Sequence, residues 1–267
     1  MKRIILFLVG VLGLFLFGSC KSKSHEKILS GSAMGTTWKL AWRGETVPEM
    51  GNHIRETLRK WESVMSQWQD DSDLSRFNRG EAATPELQSV IDLAEQIRVA
   101  SGGAFDHRLL KEVGESGFGP GGQGIDLSAI GKGFAVDRVG ECLREMGVED
   151  FVFELGGEIL AGRGAWQVAI EKPDPAVQES RRVILLDNRA LATSGNYRQF
   201  IPDANGGMVS HIIDPQTKKP VIRPPMSVSV IAKDCATADA WATALFVLGP
   251  EYPAPVEIEV MWNDLQE

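Results

Sequence analysis

The chain has 267 residues, with 28 Lys and Arg against 36 Asp and Glu and a formal charge of −8. That acidity argues against a nucleic-acid-binding face, while the length and the 43% apolar content allow a large core in one domain or two closely joined lobes. Three cysteines without a CxxC pair, and four histidines, make no zinc-type ligand set; a bridge between Cys142 and Cys235 stays open.

Met1-Lys2-Arg3, an apolar run from Ile4 to Phe17, and Gly18-Ser19 ahead of Cys20 read as an export leader. The run is short for a membrane span and contains Gly10 and Gly13, and no second apolar run stops transfer. Small residues before Cys20 match a bacterial lipoprotein processing box, with Phe17 where leucine is usual. The expectation is a leader over 1–19, a lipidated Cys20, a tether over 20–29 and a domain over 30–267, anchored in the cell envelope and facing the periplasm. A secreted protein or an uncleaved anchor are the alternatives. Cleavage removes Lys2 and Arg3 and no acid, taking the charge to −10.

Ile28 to Arg43 reads as an opening turn and strand. Ile54, Leu58, Trp61 and Met65 predict a helix over about 48–65, and Leu87, Val90, Ile91, Ala94 and Ile97 predict another over 85–100, with Pro85 in its first turn. Asp71 to Asn78 reads as a polar capped turn. From Gly114 to Gly124 six of eleven residues are glycine, which predicts a flexible connection. Ile130, Phe134, Val139, Leu143 and Met146 follow helical spacing. Strand-like segments come next at 151–155, 166–171, 182–186, 211–213 and 227–232, the last with the alternation of a half-buried strand. A final helix is expected over about 236–248. Helices mixed with antiparallel-looking strands predict an α+β or mixed α/β fold.

Asp126-Leu127-Ser128-Ala129-Ile130-Gly131-Lys132-Gly133 sets a carboxylate, two glycines and a lysine at a helix start. Free backbone N–H groups and the helix dipole favour anions there, and Lys132 adds a mobile positive charge. The bland alternative is that the glycines let the helix start pack closely on a strand. Asp239 and Thr243, four apart on the last helix, put two oxygens on one face, which suits a hard cation such as Mg²⁺; a cap or a solvated face is the competing reading. His211 is a general base, a phosphate partner or a structural histidine. Thr193 to Tyr197 and Leu155 to Glu158 read as turns. Trp68 is a stacking ring or a core residue. No G-x-S-x-G elbow is present.

Taken in order, these blocks resemble the FAD:protein FMN transferases, the ApbE family of bacterial lipoproteins. The resemblance runs through Met34-Gly35-Thr36, Met65 to Asn78, Gly102 to Asp106, Asp126 to Asp137, Leu155 to Glu158, Thr193 to Tyr197, His211 to Pro215 and Asp234 to Gly249. It implies an ApbE-like, T-fold-related single domain of two lobes with a flavin cleft, and Mg²⁺-dependent transfer of FMN from FAD to a Thr or Ser hydroxyl of an acceptor protein, releasing AMP. It puts Met34, Trp68, Ala104, Phe105, Asp106, Asp126, Lys132 and Ile213 at FAD, and Asp239, Thr243 and the Ala129 carbonyl at the metal. His211, Asp214 and Lys132 are the expected catalytic groups, and flavin-carrying subunits of membrane redox complexes the expected acceptors. The chain departs from the family in a short segment between Phe105 and Ile125 and in a Pro253-Ala254-Pro255 tail. An FAD pyrophosphatase, giving FMN and AMP, and a non-catalytic lipid-anchored FAD-binding protein are the alternative functions.

Overall fold

The computed structural model describes residues 26–173, 180–196, 200–202, 208–224 and 226–264. The leader, Cys20, the first part of the tether and Tyr197 lie outside them.

Strands β1 (Lys27–Ala33) and β2 (Thr36–Trp42) form a hairpin, so the opening segment holds two strands rather than one, and the fold starts inside the expected tether. Met34 and Gly35 make its two-residue turn, both at positive φ (51° and 72°), the turn hand that matches strand twist. Helices α1 (Met50–Met65), α2 (Asp73–Asn78), α3 (Pro85–Ala100), α4 (Leu110–Glu115) and α5 (Gly131–Glu145) follow. The Ser72 hydroxyl caps α2 by accepting the Ser75 N–H at 3.0 Å, which makes the expected polar turn a short helix. Thr84 caps α3 in the same way, with Pro85 next. α4 takes up the beginning of the glycine-rich segment.

The second half contains β3 (Phe151–Leu155), β4 (Glu158–Ala161), β5 (Trp166–Glu171), β6 (Ser180–Leu186), β7 (Ala190–Gly195), β8 (Phe200–Pro202), β9 (Met208–Ser210), β10 (Ile213–Asp214), β11 (Lys219–Pro220), β12 (Met226–Ala232), α6 (Cys235–Leu248) and β13 (Glu259–Asp264). Seven strands form one antiparallel sheet in the order β1-β2-β3-β4-β7-β12-β13. Thr193 and Ser194, expected in a turn, therefore lie in a central strand. His211 precedes β10 instead of lying in a strand.

Both faces of this sheet are covered. On one, Trp38, Leu40, Phe151, Phe153, Leu160, Ala192, Val228 and Val230 pack against α1, α5 and α6 in the main core. On the other, Ala41, Val152, Ala161, Leu191 and Ile231 meet Trp166, Val168, Ile170 and Leu186 of the β5–β6 hairpin. Hence β12 is buried from Ser227 to Ala232, and the half-buried expectation fails there: Ser229 is covered too, its hydroxyl 2.8 Å from that of Thr193. Cys142 and Cys235 are both free thiols. Among the described residues no helix is long and apolar enough to cross a membrane.

Glu154 of β3 is a buried carboxyl on the hairpin side of the sheet, where its Oε1 accepts the Gly157 N–H at 3.2 Å. Burial raises it from the ordinary 4.5 to about 7, against the pull of Gly157 and Lys39. A carboxyl raised on folding favours the fold at low pH. Its contribution is whole below about 4.5 and lost as pH rises through about 7, a change on the order of 3 kcal/mol. Urea unfolding of the parent and Glu154→Gln at pH 5 and pH 8 should show the variant gaining on the parent at the higher pH by about 2–3 kcal/mol. Parallel pH dependences would contradict this assignment.

Candidate functional site

The start of α5 meets the start of α6. The Gly133 N–H donates to Asp239 Oδ2 at 3.0 Å, so it does not close the first helical turn on the Ala129 carbonyl. A Cβ at residue 133 would lie 2.4 Å from the Cys235 carbonyl oxygen and 2.8 Å from the Asp239 Cβ, so glycine is required by the approach of the two helices. The close-packing reading of this glycine is thus the right one, with a helix rather than a strand as the neighbour. The anion expected at its N–H is a carboxylate of the chain itself. One turn along α5, Asp137 accepts the N–H groups of Cys235 (2.7 Å) and Ala236 (2.9 Å), while Asp234 caps α6 from within by accepting the Thr237 N–H.

Lys132 is not a freely mobile charge, because its ammonium is paired with Glu158. Glu158 follows the Gly156-Gly157 turn of the β3–β4 hairpin, is 3% exposed, and has a buried Oε2 without a partner. Burial pushes the carboxyls of Glu158 and Asp239 up, while Lys132 pulls both down; Asp239 raises Glu158 further. Burial alone would lower Lys132, but the two carboxylates outweigh it and raise the lysine. Two buried carboxylates thus face one ammonium. On the next turn of α6 the Thr243 hydroxyl lies 3.2 Å from that of Ser194 on β7. Lys132, Asp239 and Thr243 come together here, and Glu158 and Ser194 join them. The residues around both had read as turns, and only their strand pairing brings them to the helices.

A second group lies where α1 ends. The Ser66 hydroxyl accepts the N–H groups of Trp68 and Gln69, both at 3.2 Å, which fixes the turn carrying Gln67 and Trp68. Trp68 is 65% exposed, which settles the choice between a surface ring and a core one. Asp126 is buried, its Oδ1 accepting the Ser128 N–H at 2.6 Å and its own N–H donating to the His107 carbonyl at 2.7 Å. Ala104 and Phe105 belong to the core, and the Asp106 carboxylate is held by Arg108 at 2.7 and 2.8 Å. Met34 lines a cavity of about 380 Å³ with Ser32 to Thr37 and Glu62.

The third group carries the expected base. His211 meets the edge of Phe118, from the glycine-rich segment, at 6.0 Å between ring centres. Ile213, two residues on, is buried. Asp214 accepts the Gln216 N–H at 2.8 Å and the Thr217 hydroxyl at 3.1 Å, so both of its oxygens serve its own turn.

Residues 34–124 and 118–257 match the model of the ApbE family. The chain belongs to the ApbE family. It is 31% identical to the FAD:protein FMN transferase of Vibrio cholerae serotype O1 over 92% of this chain and 88% of that one, and 30% identical to that of Haemophilus influenzae over 94% and 89%. The fold superposes on the flavin transferase ApbE from Vibrio cholerae with a TM-score of 0.75, at 31% identity over 86% of this chain and 89% of the other. The apo flavinyl transferase ApbE of Pseudomonas stutzeri gives 0.74 at 27% identity, over 85% of each chain. The mixed α/β fold of the family is therefore the fold of this chain.

The α5–α6 contact predicts opposite outcomes for two neighbouring glycines of this ApbE-family chain. A Cβ at Gly131 meets only the Met65 side chain, its sulfur at 3.6 Å and its methyl at 3.9 Å, ordinary contacts, so Gly131→Ala should leave thermal stability unchanged or raised. Gly133→Ala should cost about 1–3 kcal/mol despite the better helix propensity of alanine, because a backbone carbonyl has to move. Thermal melts of both variants check this, and equal melting temperatures would refute it.

Proposed function

We propose that the chain moves FMN from FAD onto a threonine or serine hydroxyl of an acceptor protein and releases AMP, with Mg²⁺ held by Asp239, Thr243 and the Ala129 carbonyl. The observation that carries this reading is the junction of α5 and α6, where Asp239 and Thr243 stand beside Lys132 and Glu158, two buried carboxyls facing one ammonium. The donor set fits the ion: hard oxygens only, one carboxylate among them, with the other positions left to water and phosphate oxygens. Bound there, Mg²⁺ would neutralise charge on the pyrophosphate.

In this reading Lys132 binds the pyrophosphate from the start of α5, and Glu158 sets where its ammonium sits. The acceptor oxygen forms a bond to the FMN-side phosphorus as the bond from that phosphorus to the bridging oxygen breaks, and the bridging oxygen leaves with AMP. His211 takes the proton of the acceptor hydroxyl. Asp214, engaged in its turn, is the weaker candidate for that task. The flavin ring is cargo and undergoes no redox change. The leader and Cys20 support a lipid-anchored protein on the periplasmic side, where flavin-carrying subunits of membrane redox complexes are the acceptors this reading implies.

Protein beginning after Cys20, mixed with FAD, Mg²⁺ and an acceptor domain with a flavinylation threonine, should yield covalent fluorescence on the acceptor and an equal amount of AMP. Free FMN and AMP from an otherwise competent mixture would identify the hydrolytic alternative, and FAD bound without AMP the non-catalytic one. Asp239→Asn keeps an oxygen for the Gly133 N–H but removes the charge. AMP release should fall at least about a hundredfold, with the melting temperature held within a few degrees. Turnover equal to the parent would remove Asp239 from the metal site.

A further inference from the structure

Ile222 is 84% exposed and packs in neither core, yet the backbone on both sides of it is pinned. Before it, Val221 is buried, and its N–H donates to the Ile212 carbonyl at 2.8 Å, next to the β10–β11 ladder. After it, the buried Asn196 amide donates to the carbonyls of Arg223 (2.7 Å) and Pro224 (3.1 Å), and its oxygen accepts the Met226 N–H at 3.0 Å. The Arg223 guanidinium donates to the Val247 carbonyl near the end of α6 at 2.8 Å and lies over the Phe246 ring.

A lone apolar side chain on a surface is ordinary, and a loose one would call for no account. This one is held out by a clamp whose anchors all belong to the site. Ile212 follows His211, so Ile222 leaves the ladder at the end where His211 enters it. Asn196 is two residues beyond Ser194, whose hydroxyl meets that of Thr243. Val247 is one turn beyond Thr243 on α6. The segment therefore ties the His211 end of the small hairpin to the strand of Ser194 and the helix of Thr243. It presents Ile222 at a fixed place relative to both.

Under the proposed function an acceptor hydroxyl has to reach His211, and the polypeptide that brings it lays its neighbouring side chains on the surface around that histidine. An uncovered β-branched side chain on a pinned backbone suits such a contact, because little conformational freedom is lost when it is covered. We propose that Ile222 is the docking anchor for the acceptor. An extended segment of the acceptor sets an apolar side chain, close in sequence to its threonine or serine, against Ile222 while the hydroxyl meets His211. This rests on the proposed transfer and adds to it a residue that chooses acceptors, with the class of side chain it chooses.

The test is titration of an acceptor domain carrying a flavinylation threonine against the full chain in detergent, read as covalent fluorescence, for the parent, Ile222→Ser and Ile222→Leu. Ile222→Ser should raise the KM for the acceptor at least about tenfold, with kcat within about threefold of the parent and FAD affinity unchanged. Ile222→Leu should keep that KM within about threefold of the parent. Melting temperatures should agree, since the side chain packs in neither core. Apolar residues flanking the acceptor threonine are then replaced by serine one at a time. One of these changes should raise the KM of the parent to a similar extent and add nothing to Ile222→Ser, which marks a direct contact. A parent-like KM for Ile222→Ser, or losses that simply add for every flanking residue, would overturn the inference and leave the transfer reading standing. An equal loss of FAD affinity in Ile222→Ser would overturn it too, by moving the residue to the dinucleotide. AMP and free FMN without any labelled acceptor from the parent would overturn the transfer reading and the inference together.

Discussion

The arrangement depends on a reciprocal exchange of carboxylates between two helices. Asp239 of α6 satisfies an amide at the start of α5, and Asp137 of α5 satisfies two at the start of α6. Helix N-termini carry unpaired N–H groups and a positive partial charge, so each carboxylate fills a need that its own helix does not supply. The exchange works only if the backbones approach closely, which is why residue 133 has no side chain. Gly140, further along α5, lets the helix approach the sheet too, although there a Cβ would meet the end of a side chain, Leu160 Cδ2 of β4 at 2.3 Å, rather than backbone. Once α5 is tied to both α6 and β4, the turn before Glu158 has little freedom, and the lysine it pairs with is placed as well.

Much of this was legible in the residues. The apolar spacing of α1, α3 and α5 marks helices that each bury one face, and the starts of α1, α3 and α6 fall within about two residues of expectation. The strands were harder where the hairpin and the helices cover both faces, because a strand buried twice has no reason to alternate. β12 shows this: Ser227 and Ser229 look like solvent-facing positions, yet they lie under cover with Thr193 as a neighbour. β7 was read as a turn because Thr193-Ser194-Gly195 has turn composition, and only its pairing with β12 makes it a strand.

The site was legible in part for a similar reason. Spacing along one helix exposes Asp239 and Thr243 as a pair, and the glycines flanking Lys132 mark a helix start. Partners from distant segments leave no such trace. Glu158 follows two glycines and has the composition of any tight turn; its meaning comes from a lysine 26 positions earlier. The glycine-rich segment was expected to be a loose connection. It is drawn together at Gly114 and Gly121, where a Cβ on Gly114 would lie 2.2 Å from the Gly121 Cα, and it carries Phe118 onto His211.

The charge balance at the α5–α6 junction bears on how substrate would enter. Two buried carboxyls face one ammonium, and with both ionised an anionic pyrophosphate arriving alone would meet repulsion from Glu158 and Asp239 in a medium that screens poorly. A cation and a pyrophosphate arriving together cancel that repulsion, so each should raise the affinity of the chain for the other by the same factor. Lys132 cannot supply the missing charge alone, because Glu158 already takes up much of its field. Under the proposed function, the lysine–glutamate pair is then a reason for the site to wait for both ligands.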